Sequence, residues 1–416
     1  MNGRFYPMSM KQYISYIIVW VLALGMSGKM AAQTPADTAG TVQNVAPAEQ
    51  DSVDISLITC SPGTELYQLY GHTALRVREV RQGRRSDWVF NYGTFSFKQK
   101  NFMWRFMLGE TDYELSVLPY GYFYEEYVRE GRAIYEQRLN LTPAEEKALV
   151  DALTQNLQPE NAVYRYNFFY DNCTTRALRI VAQHVNGKVK WPQGETNKSL
   201  RDIVHEYAQN DPWVCFGQDL VLGAEADRPA DIHAQMFAPL YAQRYVTEAR
   251  IVGADGKERF MAAPSLTLLP AVPMPSETTA FTPLVVFSLL LTLVVALTIY
   301  EWIKKKYVWQ IDALLQFVQG LVGCLVAFLF FFSAHPAVGS NCLLALFNPL
   351  PLLFLPWFMK YATNHRRFAG QYVQGLMLAV ALLLGLCGLQ HYPAEVYLII
   401  AALAVRVVAH FKFVKP

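Results

Sequence analysis

Five hydrophobic segments close the chain, at approximately 281–300, 310–332, 342–359, 371–389 and 393–411. Runs this long and apolar can satisfy their backbone in hydrocarbon only as helices, so they commit the C-terminal part to a membrane bundle. The last two are short and can tilt little. They also account for a composition of 53% hydrophobic and 17% charged residues, too apolar for an ordinary soluble protein. The 416 residues leave room for one sizeable further domain ahead of the bundle.

Flanking charge orients the bundle. Lys304, Lys305 and Lys306 follow the first segment, Lys360, Arg366 and Arg367 the third, and Lys412 and Lys415 the fifth. The alternate loops, 333–341 and 390–393, contain no Lys or Arg. Positive charge marks the cytoplasmic side, which puts residues 33–280 outside the cytoplasm and the C-terminus inside. The N-terminus agrees independently. Arg4 and Lys11 precede an apolar core from Tyr13 to Met26, and small residues follow at Ala31 and Ala32, the pattern of an export signal, with an uncleaved anchor as the alternative. The expected organisation is a signal or anchor over 1–32, a linker over 33–54, an exported domain over 55–263, a second linker over 264–280 and a membrane domain over 281–416, in a bacterial inner membrane. Acidic and basic residues are nearly balanced in the exported part and form no basic stripe, which argues against nucleic acid as a partner.

The exported domain reads as α+β. Ile55–Thr59 is a strand ended by Cys60-Ser61-Pro62-Gly63, a turn signature. His72–Val80 is the next strand, and Trp88–Phe97 a third, interrupted at Gly93. Thr142-Pro143-Ala144-Glu145 is a capping box with proline at the first helical position. Two aromatic stretches, 101–108 and 120–124, suit either the lipid interface or a packed core.

Cys173 stands out within Tyr170-Asp171-Asn172-Cys173-Thr174-Thr175-Arg176. Asp171 or Asn172 can cap a helix there, and Ala177, Ile180, Val181 and His184 recur at helical spacing. A thiol in the first turn feels the positive end of the helix dipole, which favours thiolate, and nearby free amides can hold an oxyanion. Most free cysteines are merely small buried hydrophobes; the polar flanks set this one apart. Its natural base is His72, which a strand can hold rigidly over a helix-borne thiol, and Asn91 on the next strand can accept the other imidazole N–H. The domain's three cysteines, Cys60, Cys173 and Cys215, leave one unpaired in an oxidising compartment; a Cys60–Cys215 disulfide is one arrangement that sequence alone does not fix. A zinc site from Cys60, His72, His205 and Cys215 lacks any close ligand pair, so no metal and no cofactor is expected.

The stretches Leu57-Ile58-Thr59-Cys60-Ser61-Pro62-Gly63, Tyr70-Gly71-His72-Thr73-Ala74, Phe90-Asn91-Tyr92-Gly93-Thr94-Phe95 and Phe169 to Arg176 resemble a bacterial membrane-anchored family that includes thiol-dependent lipoprotein N-acyltransferases. The histidine-then-cysteine order also resembles the circularly permuted papain-like fold of lecithin:retinol acyltransferase-like enzymes. The resemblance implies such a fold for the exported domain, followed by about five membrane helices. It implies Cys173 as nucleophile, His72 as general base and Asn91 or Asp171 as orienting residue. A phospholipid would then be the acyl donor and a diacylglyceryl-cysteine lipoprotein the acceptor. The permuted acyltransferases often place a second histidine in the third position, and no histidine lies between His72 and His184.

Two other classes use the same residues. A thiol peptidase or amidase acting on cell-wall peptides would share the dyad but has little need of five helices, and a non-catalytic assembly module would keep Cys173 as packing. Transport is less favoured, since Asp312 and Arg406 lie near segment ends and Glu395 near a loop. No Gly-x-Ser-x-Gly elbow and no His-x4-Asp motif is present.

Overall fold

A computed structural model describes residues 51–95, 100–195, 197–273 and 279–414; the expected signal segment lies outside them. The first strand starts at Ser52. Seven antiparallel strands form the main sheet: β1 (Ser52–Cys60), β2 (His72–Arg81), β3 (Arg84–Thr94), β4 (Asp112–Pro119), β5 (Ile134–Arg138), β6 (Val163–Arg165) and β10 (Leu266–Leu269), in the order β10-β5-β1-β2-β3-β4-β6. A small second sheet joins β7 (Lys188–Lys190), β8 (Arg250–Val252) and β9 (Glu258–Phe260).

Both faces of the main sheet are covered. Leu149, Leu153, Ala177, Leu178, Val181, Tyr245 and Val246, from three helices, pack with Ile55, Leu57, Leu75 and Val77. On the other face the helix Tyr120–Glu130 lays Phe123 and Tyr127 against Ile58, Ala74 and Val89. Double coverage explains why β1 is buried without a break from Ile55 to Cys60, polar Ser56 and Thr59 included. The second aromatic stretch therefore packs beneath the sheet, where Arg76 also stacks over Tyr120 at 3.4 Å. The first stretch forms the helix Phe102–Leu108, with Phe102 buried and Trp104 against Phe328 at 4.6 Å.

Among the described residues, four helical units are long and apolar enough to cross a membrane: Pro283–Lys304, Trp309–Phe332, Cys342–Thr363 and Ala394–Phe413. Gly370–Leu386 is apolar but shorter, at 17 residues. The third unit opens as a 3-10 turn, Cys342–Ala345, and becomes an α-helix at Leu350, with Pro351 near its start and Pro356 inside it. Gly323 lets the backbone at Asn348 approach the second helix; any side chain there would collide with it.

The two outward loops free of Lys and Arg are the ones that meet the sheet domain. Ala334 N–H donates to Leu108 O at 2.8 Å, Gly223 N–H to Ala337 O at 2.7 Å and Ala224 N–H to Ser340 O at 3.1 Å. Asn341 Nδ2 donates to Leu220 O, Gln390 Nε2 to Leu222 O, and His391 N–H to Asp227 Oδ2. The charge-derived orientation and this docking coincide.

At the opposite end, the bundle encloses charge that the sequence placed only near segment ends. Arg406 pairs with Glu301 at 2.6 Å and with Asp312, and all three are buried. Tyr307 donates to Asp312 and also meets His410 at 3.2 Å. In hydrocarbon such groups persist only when paired. Arg406→Ala, which strands two carboxylates, should cost about 3–5 kcal/mol, read as a lowered melting temperature in detergent, with Arg406→Lys recovering part of the loss.

Candidate active site

The helix Cys173–Gln183 begins where its cap dictates. Asn172 Oδ1 accepts from Thr174 N–H at 2.9 Å and Thr175 N–H at 3.0 Å, while Thr175 Oγ1 accepts from Asn172 N–H at 2.8 Å, a reciprocal capping box. Asn172 Nδ2 donates to Phe168 O at 2.8 Å and Phe237 O at 2.9 Å. The thiol of Cys173 is thereby fixed at the first helical position, at the end of the sheet.

The third strand makes room for it. Pairing of β3 with β4 shifts between Asn91 and Thr94, so Tyr92 and Gly93 oppose a single residue of β4. Gly93 has φ +87°, and a Cβ there would lie 3.3 Å from the Cys173 Cβ. The interruption seen in sequence is this bulge.

His72 heads β2, directly across from Cys60. Its Nε2–H donates to Asn91 Oδ1 at 3.0 Å, which leaves Nδ1 for Cys173. The imidazole of His72 and the backbone of Thr73 act directly on the thiol and favour its ionised form. Thr174 Oγ1 lies 3.9 Å from Sγ and is itself held by Thr73 Oγ1 at 3.1 Å. Burial by itself raises the Cys173 thiol, but the charge of His72 and the bonds from His72, Thr73 and Thr174 outweigh it and hold the thiol below its usual value. Burial likewise lowers His72, and the charge of Cys173 with bonds to Cys173 and Asn91 holds it above the usual imidazole range. Both shifts favour a thiolate–imidazolium pair.

The structure thus brings Cys173, His72 and Asn91 together and leaves Asp171 apart. The Asp171 carboxylate takes Arg176 at 2.8 Å and Arg179 at 3.3 Å, and Arg176 stacks over Tyr164 at 3.6 Å. The amides of Thr174 and Thr175, expected to be free for an oxyanion, are taken by the cap. Thr73 and Thr174 were not singled out in the sequence, although each directly follows one of the reactive residues. Aromatic rings also close on the site. Burial raises the phenols of Tyr113, Tyr164 and Tyr166, and the Cys173 charge adds to it. Tyr166 stacks on Tyr113 at 4.0 Å, Tyr113 meets Phe95 at 5.0 Å, and Phe95 stacks on Phe102 at 5.3 Å. This wall runs from the sulfur to the helix that carries Trp104 and so to the membrane helix of Phe328.

Cys60 is a different kind of thiol. Buried beneath the sheet, it is pushed up to about 12 by burial, despite a hydrogen bond with Tyr127. Cys60 and Cys215 are both free, so the disulfide considered above does not form. Nor does the four-residue zinc set assemble: Cys60 and His72 face each other across β1 and β2, while Cys215 belongs with His205 on other helices.

Residues 45–209 match the Lnb N-terminal periplasmic domain, and residues 275–415 match the Lnb transmembrane domain. The chain belongs to the Lnb family. It is a membrane protein with a periplasmic domain, and Cys173, His72 and Asn91 all fall inside the matched Lnb periplasmic segment. No curated protein and no solved structure matches the chain.

Two outcomes are expected. Iodoacetamide should alkylate Cys173, read on its own peptide by mass spectrometry, with an onset below the ordinary thiol pKa of about 8.5. His72→Ala should move that onset back up into it. Gly93→Ala, with its positive φ and crowded Cβ, should cost about 1–3 kcal/mol and slow the same alkylation.

Proposed function

We propose that this Lnb protein is a thiol-dependent N-acyltransferase that moves a fatty acyl chain from a phospholipid to the N-terminal amine of diacylglyceryl-cysteine lipoproteins. The observation that carries the reading is the Cys173–His72 pair, in which each group favours the charged form of the other, in a domain held against the outward loops of a membrane bundle. A strand-borne histidine ahead of a helix-borne cysteine is also the order of the permuted papain-like enzymes.

The chemistry proceeds in two steps. The Cys173 thiolate attacks an ester carbonyl of the phospholipid, and the tetrahedral intermediate collapses by breaking the acyl C–O bond. The lysophospholipid oxygen leaves with the proton held by His72, and the acyl group remains as a thioester on Sγ. The lipoprotein amine then attacks the thioester carbonyl. His72 accepts the amine proton, the C–S bond breaks, and the thiolate–imidazolium pair is restored. An α-amino group has an unperturbed pKa of about 8, so a useful fraction is neutral near pH 7. Asn91 keeps the imidazole turned towards sulfur throughout. The wall of Tyr166, Tyr113, Phe95 and Phe102 is a suitable surface for an acyl chain reaching up from the bilayer. Confinement of both lipidated substrates to one leaflet raises their effective concentration at the sulfur.

Mass spectrometry of lipoprotein N-termini decides the matter. Cells relying on this protein should carry triacylated peptides, and Cys173→Ala or His72→Ala should reduce them to the diacylated form. Unchanged triacylation in both variants would overturn the reading, and release of muropeptide fragments by the purified protein would point to a peptidase instead.

A further inference from the structure

A second cluster of reactive side chains lies outside the site just described. His205 belongs to the helix Leu200–Ala208, and Cys215 and Asp219, four residues apart, share one face of the helix Pro212–Val221. One ligand atom from each lies within 4.8 Å of the others. We propose that His205, Cys215 and Asp219 form a binding site for a zinc-class divalent cation, which would tie this helix pair to the membrane domain.

Four observations converge on it. The donors are one imidazole, one thiol and one carboxylate, a set that suits zinc and not the oxygen-seeking calcium or magnesium. His205 Nε2 and Asp219 Oδ1 stand 2.8 Å apart, sharing a proton. Tetrahedral ligands at ordinary zinc bond lengths sit about 3.3 Å apart, so an ion can replace that proton with a small movement. The charge balance permits the exchange. Buried Arg201 pairs at 2.6 Å with both Asp219 and Asp227. A dication that takes Cys215 as thiolate releases the thiol proton and the proton shared by His205 and Asp219, so its two charges replace those of two protons. Finally, Arg201 bonds the same Asp219 oxygen, Oδ1, that meets His205, and so fixes the carboxylate as an outer partner of a metal ligand does.

The open side of the cluster faces the membrane domain. The ring of His391 lies 6.0 Å from that of His205, and its backbone N–H donates to Asp227 Oδ2. His391 sits in the loop before the last membrane helix, so this further imidazole comes from the other half of the molecule. His205 is 30% exposed at its side chain, which gives an ion a way in. Cys215 and Asp219 fall between the two matched Lnb segments, so membership of the family does not imply this site.

The test uses the full chain in detergent, stripped with a chelator and titrated with cobalt(II). One equivalent should bind with a thiolate-to-cobalt charge-transfer band in the near ultraviolet, and zinc should displace it. Zinc should also protect Cys215, but not Cys173, from maleimide in the wild-type protein, read peptide by peptide. Cys215→Ser should abolish the band, His205→Gln should weaken zinc at least about tenfold, and His391→Ala should weaken it less. Unchanged labelling of Cys215 in saturating zinc would overturn the proposal without any variant. A cobalt band that survives Cys215→Ser would overturn it too.

Discussion

The buried side chain of Asn172 fixes where the reactive helix starts. Its carbonyl oxygen serves two amides of the first turn and its amide group serves two carbonyls from separate loops. An N-cap of this kind contributes about 1 kcal/mol, but its larger effect here is positional. A helix that began one residue earlier or later would turn the thiol away from His72 by about 100°. The bulge at Gly93 and the Thr73–Thr174 contact both presuppose that register.

Much of this arrangement was legible in the sequence. Gly71-His72-Thr73 at a strand start, the break at Gly93 and the polar residues before Cys173 each reported a local constraint, and local constraints survive folding. Asn91 could be named because adjacent strands of a hairpin have few registers available. The choice between Asp171 and Asn172 could not be made, since either can accept from helix amides. Only the amide can also donate, and the carbonyls of Phe168 and Phe237 require a donor. Freed from capping, Asp171 is captured by Arg176 and Arg179 on the next turns.

What could not be read arises from contacts between distant segments. Glu301, Asp312 and Arg406 stand near the ends of three different hydrophobic runs, where each looks able to reach water. Their burial depends on the way the helices pack, which no single run encodes. The tyrosines around Cys173 come from β4 and from β6 with the residue that follows it, far apart in sequence. The grouping of His205 with Cys215 and Asp219 is close in sequence but depends on how two neighbouring helices pack, and a zinc set drawn from four scattered residues mixed two unrelated places.

The hydrogen bonds from Ala334, Gly223, Ala224, Asn341 and Gln390 join the sheet domain to the bundle, and every one ends on a main-chain carbonyl. A joint of that kind passes rotation of the helices on to the sulfur. Membrane helices adjust their tilt when the hydrocarbon layer thins or thickens. The position of the Cys173 sulfur relative to the bilayer is then set partly by the thickness of the bilayer itself, which makes the surrounding lipid a mechanical neighbour of the periplasmic domain.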